Sequence, residues 1–367
     1  MKRIKSIDIF RGLCMTWMVI NHLIAWWLPS GSSWLHNVTI MILDSIGVSG
    51  FLFVSGVSIT LSFRLKQKKS EGSGESNERI TRNSHFIRAF LIFLVALIYN
   101  LPTTIIEGPS YIWTWFVLLT VAVSMFMIWP LFYTPKIFRI VLGIFIIIGN
   151  QFLISFLNPY EGNSNFFGIL YYILYHGSDQ DPLLSFFPFF LFGTVFGDFM
   201  FRSYLNNSSD HKKQDMTKRK LISLILIGIV LILFGLFFNF PEFLRRQSFS
   251  WMFYSIGIDT LLLSLLLLLE NYNIFERKKS YKLLFYYSYY SLTIYLSHNL
   301  LYFIFFESLN PINIWFFIFV AFILMGFSFR FVYKKLRDKA SLKIQISRLS
   351  LSLALKIENR KLNRNKK

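Results

Sequence analysis

The sequence predicts an all-α polytopic transmembrane helix bundle, with about ten spans and both termini in the cytoplasm. Hydrophobic residues make up 54% of the 367 residues and charged residues only 16%, whereas about a quarter of a soluble domain is charged. Ten windows are apolar over the roughly 20 residues that a helix needs to cross a bilayer. Lysine and arginine are concentrated in alternate connecting segments, as the positive-inside rule requires.

The ten windows follow one another without a recognisable internal repeat. They lie at about 8–28, 39–63, 86–106, 111–132, 137–157, 183–203, 220–240, 250–270, 283–306 and 312–333. With the N-terminus inside, 36 of the 38 lysines and arginines fall in cytoplasmic segments, and Arg245 and Arg246 are the two exceptions. This distribution explains the net charge of +19 without a nucleic-acid partner, because such segments face anionic membrane lipids.

The predicted domain organisation is simple. One transmembrane domain covers 1–340, with cytoplasmic linkers at about 64–85 and 204–220. Within them, the polar composition of 66–84 and 205–219 predicts disorder. A basic cytoplasmic tail follows at 341–367. Its alternation of leucine or isoleucine with serine or lysine predicts contact with the inner membrane surface.

Two histidines fall at similar depths in the predicted bilayer. At 1.5 Å per residue, His22 lies about 21 Å into the first span and His298 about 22 Å into the ninth. Asn21 and Asn299 are their neighbours. An imidazole acts as general base, proton carrier or nucleophile near neutral pH, so one interpretation is a shared site that includes both asparagines. The other is two separate histidines that hydrogen-bond across helices for packing.

Charged residues at the inner helix ends form a candidate anion or nucleotide site. Asp8 and Arg11 are three residues apart and share one helix face. Arg64 and Arg330 lie near the inner ends of other spans. Guanidinium groups suit phosphate recognition, although a salt bridge with interfacial anchors is the alternative.

Carboxylates inside the predicted spans need partners, because an unpaired charge in a bilayer costs several kcal/mol. Asp44, near the outer end of the second span, is expected to pair with His22 or His36. Asp259 lies near the middle of the eighth span.

The outer connecting segments hold further candidates for substrate binding. The loop at 158–182 contains acidic, amide and aromatic side chains, including Asp181, and has no lysine or arginine. It is interpreted either as a sugar-binding loop or as an ordinary solvated loop. Arg245 and Arg246 either bind an anionic substrate or cap the eighth span among lipid headgroups.

Four motifs then carry a family resemblance. They are RIKSIDIFRG at 3–12, FLFVSGVS at 51–58, DPLLSFFP at 181–188 and SLTIYLSH at 291–298. Together and in this order they resemble the heparan-alpha-glucosaminide N-acetyltransferase-like membrane proteins. A proposed active histidine of the lysosomal branch precedes a tryptophan that resembles Trp34, but Gly31 occupies that position here. The resemblance therefore points to His22 first and His36 second.

The resemblance implies acyl transfer across the plasma membrane of a prokaryote. Acetyl-CoA would bind at the cytoplasmic face as co-substrate, with no metal, and a hydroxyl or amine of a sugar or glycan would accept the acetyl group outside. His22 would deprotonate the acceptor or carry the acetyl group, with His298 assisting and Asp44 orienting a tautomer or the acceptor.

The inner arginines would pair with CoA phosphates, and Asp8 would orient Arg11. A proton-coupled secondary transporter is the main alternative, because histidines and acids within the membrane also suit such carriers.

Overall fold

A computed structural model describes residues 4–29, 31, 33–39, 44–70, 75–176, 180–205, 211–241, 246–275 and 281–364. In these ranges the regular structure is helical and includes no strand, which confirms the all-α prediction. The α-helices are α1 (Lys5–Trp27), α2 (Ser33–Thr39), α3 (Val48–Ser70), α4 (Glu75–Glu107), α5 (Val117–Leu131), α6 (Lys136–Leu157), α7 (Phe166–Leu174), α8 (Leu183–Met200), α9 (His211–Phe238), α10 (Phe249–Asn271), α11 (Lys282–Tyr289), α12 (Ser291–Ser297), α13 (Ile314–Lys335) and α14 (Leu342–Arg364).

Within the described residues, eight helices are long and apolar enough to cross a membrane, namely α1, α3, α4, α6, α8, α9, α10 and α13. They match eight of the ten predicted windows and confirm a polytopic transmembrane bundle. The fourth window holds α5, which is only 15 residues long. The ninth holds α11, α12 and a 3₁₀ helix at His298–Phe303 in succession. The cytoplasmic position of the termini stays a prediction.

The prediction of disorder at 66–84 is wrong for the described residues 66–70 and 75–84, while 71–74 lie outside the described ranges. Helix α3 continues to Ser70 and α4 begins at Glu75, because lysine, arginine, glutamate and glutamine are good helix formers and extend the two apolar helices. In the second predicted linker, α9 begins at His211, while residues 206–210 lie outside the described ranges.

The C-terminal tail forms α14. Ser350, Ala354 and Glu358 are spaced four residues apart and are all buried, so the helix packs one face against the protein. Its predicted contact with the membrane surface stays a prediction.

The chain forms two compact units. Unit 1 comprises residues 1–54 and 210–345, and unit 2 comprises 55–209 and 346–367. The domain boundary predicted at residue 341 stays a prediction.

In unit 1, α1 is anchored at its first turn. The backbone amides of Lys5 and Ser6 donate to the Glu270 carboxylate of α10 at 3.0 and 2.8 Å. The first amides of a helix have no partner within it, and a carboxylate also complements the positive end of the helix dipole. Further along, α1 and α11 approach so closely that a Cβ at Gly12 would lie 2.3 Å from the Leu284 carbonyl oxygen.

In unit 2, α3 and α8 make a similar close approach, since a Cβ at Gly56 would lie 2.1 Å from the Phe190 carbonyl oxygen. The same unit contains a buried charge cluster. The Asp198 carboxylate of α8 accepts hydrogen bonds from Arg139 of α6 and Arg64 of α3. Arg139 is 1% exposed, so this cluster lies inside the helix packing.

Candidate active site

The structure brings the two predicted histidines together in unit 1. The ring centroids of His22 on α1 and His298 at the end of α12 are 4.9 Å apart. His298 is buried at 3% exposure, and His22 is partly buried. The predicted proximity is confirmed, while the catalytic roles stay predictions.

Backbone hydrogen bonds explain this proximity. The Glu307 amide donates to the Trp26 carbonyl at 3.0 Å, and the Leu309 amide donates to the Trp27 carbonyl at 3.0 Å. The last carbonyls of a helix receive no hydrogen bond within that helix. Backbone amides of the segment after α12 supply the missing hydrogen bonds at the end of α1. These bonds hold the two histidine-bearing elements side by side.

A local hydrogen bond fixes the His298 ring. Its Nδ1 lies 2.6 Å from the Tyr295 carbonyl oxygen. A carbonyl only accepts, so Nδ1 carries the proton and Nε2 keeps its lone pair. In the described part of the chain nothing hydrogen-bonds to Nε2, which is buried. His298 therefore presents an oriented basic nitrogen that receives no hydrogen bond from the described residues.

Aromatic rings surround the two imidazoles. Trp26 stacks on both, with centroid distances of 5.0 Å to His22 and 5.5 Å to His298. Tyr302 packs edge-on against Trp26 at 5.7 Å, and Tyr295 lies 5.6 Å from His298. These rings limit water around the imidazoles and offer flat surfaces of the kind that bind small molecules.

The two neighbouring asparagines differ. The side-chain Oδ1 of Asn21 is buried and accepts no hydrogen bond from the residues that the structure describes. Asn299 is exposed. Of the two predicted substrate contacts, Asn21 is therefore the one with an open acceptor beside a site histidine.

Asp44 has a different partner from the predicted one. The Arg246 guanidinium donates to its carboxylate from Nε at 2.5 Å, where pairing with His22 or His36 was expected. Arginine is a better partner, because it is always charged and its fork matches a carboxylate. Arg246 and His36 still lie within electrostatic range of His22. Arg245 lies outside the described residues.

The predicted donor-binding residues are divided between the units. In unit 1, Asp8 is buried and accepts a hydrogen bond from Ser288 Oγ at 3.0 Å. Arg11 is partly buried on the same helix, and Arg330 is exposed on α13. Arg64 lies in unit 2.

The Arg64 guanidinium is already engaged. Its Nε and one terminal nitrogen donate to Asp198, and that terminal nitrogen also donates to the Phe132 carbonyl at 2.8 Å. The other terminal nitrogen donates to Gln67. A structural role accounts for all three nitrogens, so Arg64 is the weakest of the predicted phosphate ligands.

Asp181 is also part of unit 2. It is 7% exposed. Its backbone amide donates to the Trp115 carbonyl at 2.7 Å, and its carbonyl accepts from the Thr120 hydroxyl. The structure thus ties the end of the predicted sugar-binding loop to α5 and the segment before it, and substrate contact by Asp181 stays a prediction.

Sequence reasoning missed the buried cluster of Arg139 and Asp198. The available signal was one basic and one acidic residue at the predicted inner ends of the fifth and sixth windows. Asp259, noted in the sequence, is fully buried on α10, with the Ser49 hydroxyl beside its carboxylate.

Comparison with known families identifies the reaction class. A family model described as an acyltransferase domain matches residues 4–333. The chain belongs to this acyltransferase family. It is therefore a membrane-embedded acyltransferase, which selects the enzyme over the transporter. The match supports a membrane acyltransferase but not the heparan-alpha-glucosaminide N-acetyltransferase-like type. No curated protein matches the sequence.

Proposed function

We propose that this enzyme transfers an acetyl group from cytoplasmic acetyl-CoA to a hydroxyl or amine of an extracytoplasmic sugar or glycan, in the plasma membrane of a prokaryote. The observation that carries the proposal is the His298 imidazole, with Nδ1 bonded to the Tyr295 carbonyl and Nε2 buried beside His22. Membership of the acyltransferase family supplies the reaction class.

His298 is the general base in this proposal. Its Nε2 removes the proton from the acceptor as the acceptor oxygen or nitrogen attacks the thioester carbonyl carbon. The new bond to the acetyl group forms, the carbon–sulfur bond breaks, and CoA leaves as a thiolate. The proton then passes to the thiolate sulfur. The Tyr295 carbonyl holds the tautomer and stabilises the imidazolium, as the carboxylate does in a serine-histidine-aspartate triad.

This assignment reverses the order of the two histidines that the sequence favoured. We assign His22 to the second position, where its ring receives the proton from His298 or stabilises the charged ring. The alternative is a covalent route in which His22 carries the acetyl group. Trapping with radiolabelled acetyl-CoA separates the routes, because only the second leaves label on the protein.

Two buried hydrogen-bond acceptors of the site favour a substrate that carries hydroxyl groups. The Asn21 side-chain oxygen and His298 Nε2 are both buried and, among the described residues, unbonded. Buried polar atoms normally have partners, and a polyol supplies several hydroxyl donors. The exposed Asn299 and the Asp44–Arg246 pair are proposed as weaker contacts with the acyl-acceptor substrate.

We assign the binding site for acetyl-CoA to the cytoplasmic end of unit 1. Arg11 is the first candidate for the CoA phosphates, with Arg330 as a second cation and Asp8 as the residue that orients α1 against Ser288. Removing one phosphate contact should weaken donor binding by about tenfold and leave the bound donor's reactivity unchanged.

The test uses the purified protein in detergent, with acetyl-CoA binding and slow acetyl-CoA hydrolysis as readouts. His298→Ala should lower hydrolysis by about 10²-fold or more, the usual contribution of a general base, and keep saturable binding. Arg11→Ala should weaken binding. Gly149→Ala is the control, because a Cβ there meets no atom within 4 Å. Full hydrolysis by His298→Ala would refute the assigned base, and no saturable binding at millimolar acetyl-CoA would refute the donor.

A further inference from the structure

Unit 1 contains a buried carboxyl group that the proposed transfer reaction does not use. Asp259 lies near the middle of α10 and is fully buried. The backbone of α3 passes close to it, because a Cβ at Gly50 would lie 2.9 Å from Asp259 Oδ1. The same Cβ would lie 2.9 Å from the sulfur of Cys14 on α1. The carboxyl group is therefore enclosed where α1, α3 and α10 meet.

The hydrogen bonds of Ser49 indicate where the proton lies. Ser49 precedes Gly50 on α3, is fully buried, and places its hydroxyl beside the Asp259 carboxyl group. This hydroxyl donates to the Ser45 carbonyl at 2.7 Å. A carbonyl oxygen only accepts, and a hydroxyl has a single hydrogen to donate. A hydrogen bond between Ser49 and Asp259 therefore needs a hydrogen that Asp259 supplies.

The surroundings of Asp259 favour the same protonated form. A carboxylate inside an apolar interior loses its hydration, so it takes up a proton unless cations pair with it. Asp198 of unit 2 has such partners, because two arginines donate to its carboxylate. The polar neighbour of Asp259 is instead a hydroxyl group. A neutral carboxylic acid fits this environment.

The hydrogen bonds that begin at Asp259 lead to the candidate active site. The Ser45 carbonyl, where they end, belongs to the residue directly after Asp44. The Asp44 carboxylate accepts from Arg246, which lies within electrostatic range of His22. The side chain of Ser45 also interacts with the hydroxyl of Tyr254 on α10. Helix α10 thus holds the start of α3 and the ion pair beside it.

We propose that Asp259 is a positioning residue for acyl transfer, held as a neutral carboxylic acid that donates a hydrogen bond to Ser49. This bond fixes the start of α3 and, with it, the Asp44–Arg246 pair beside His22. Asp259 does not touch the reacting atoms and exchanges no proton during the reaction. The inference rests on the proposed function, in which the Asp44–Arg246 pair contacts the acyl acceptor.

The first test is infrared difference spectroscopy of the purified full-length protein. A neutral carboxylic acid has a carbonyl stretching band that a carboxylate lacks. This band should disappear in Asp259→Asn and shift in Ser49→Ala, which removes the hydrogen-bond acceptor. Ser264→Ala is the matched control, because it removes an equally buried hydroxyl from α10, and it should leave the band in place. Loss of a carboxylate band in Asp259→Asn would overturn the proposal.

The second test compares a neutral donor with an apolar side chain of similar size. Asp259→Asn keeps a hydrogen for Ser49, whereas Asp259→Leu has none. Acyl transfer is measured from radiolabelled acetyl-CoA to glycerol as the probe acceptor. Asp259→Asn should keep the KM for glycerol within about twofold, and Asp259→Leu should raise it by about three- to tenfold, the effect of one lost hydrogen bond. An unchanged KM in Asp259→Leu, or an equal rise in both variants, would contradict the assigned role.

A double-mutant cycle tests the connection to the Asp44–Arg246 pair. Asp259→Leu combined with Asp44→Asn should raise the KM for glycerol by less than the product of the single effects, because both changes loosen the same pair. The cycle is also followed through the unfolding midpoint, which needs no acyl donor, and full additivity in both readouts would overturn the connection. The infrared band likewise does not depend on acetyl-CoA. Failure of the wild type to bind acetyl-CoA would therefore refute the proposed donor, whereas a missing acid band would refute this inference.

Discussion

Each compact unit contains a histidine packed against a tryptophan, but the two rings form their hydrogen bonds differently. His298 in unit 1 uses Nδ1 to bond a carbonyl three residues earlier in its own segment. His85 in unit 2 uses Nε2 to bond the carbonyl of Met125, forty residues away on another helix. The local bond orients the His298 ring and leaves its far nitrogen open, whereas the long-range bond ties α4 to α5. The type of residue alone does not separate a chemical role from a structural one.

The largest expected effect comes from replacing each histidine by an amide side chain that can form the same hydrogen bond. Asparagine places its nitrogen near the position of Nδ1, and glutamine near that of Nε2. His298→Asn should therefore keep the bond to Tyr295 and lose the base, so that acyl transfer falls by about 10²–10⁴-fold. The thermal unfolding midpoint in detergent should change by only a few degrees.

The unit 2 variants test the other half of the comparison through unfolding alone. His85→Gln should keep a donor to the Met125 carbonyl and unfold near the wild-type temperature. His85→Asn is too short to reach it and should lose about 1–3 kcal/mol, the cost of an unsatisfied buried group. Equal unfolding midpoints for the two His85 variants would contradict the structural role of this ring.

The charge pairs of the two units give the next largest contrast. Asp198→Asn in unit 2 leaves Arg139, with a side chain 1% exposed, without its anion, and should destabilise by about 3 kcal/mol or more. Asp44→Asn in unit 1 removes the anion from Arg246, whose side chain is 18% exposed. Hydration of this guanidinium therefore compensates for much of the lost ion-pair energy. Thermal unfolding of both variants checks this order, and a larger drop for Asp44→Asn would contradict it.

The features predicted correctly depend on distance along single helices. The shared depth of His22 and His298 follows from a rise of 1.5 Å per residue and from the alternation of the loops, and the structure places the rings 4.9 Å apart. The apolar windows likewise predicted the helices, because a bilayer requires about 20 apolar residues.

The features predicted incorrectly depend on lateral packing. Asp44 pairs with Arg246, 202 residues later, and depth along a helix does not say which helix lies beside it. The partnership of Arg139 with Asp198 was missed for the same reason. The helical structure at 66–70 and 75–84 was missed for a different reason, because the polar composition indicated disorder although the same residues also favour helix.

The close helix contacts offer a matched test of packing in each unit. Gly12→Ala places a Cβ 2.3 Å from the Leu284 carbonyl oxygen, and Gly56→Ala places one 2.1 Å from that of Phe190. Each should destabilise by about 1–3 kcal/mol, because backbone cannot move aside easily. Gly149→Ala meets nothing within 4 Å and should stabilise its helix by up to about 1 kcal/mol. Similar midpoints for all three would contradict the close approaches.

The smallest expected effect concerns the contact that holds α14 in unit 2. Arg79→Ala removes the ion pair to Glu358, whose side chain is 2% exposed, but Arg79 itself is 38% exposed. Because water can occupy the space of the half-exposed arginine and solvate the Glu358 carboxylate, the loss should be only about 1 kcal/mol, or a fall of roughly 2–4 °C in the unfolding midpoint. Arg82→Ala removes an exposed charge from the same helix and is the control, with no measurable change expected. If the two variants unfold together, the pair does not hold α14, and the packing of Ser350 and Ala354 alone accounts for the position of this helix.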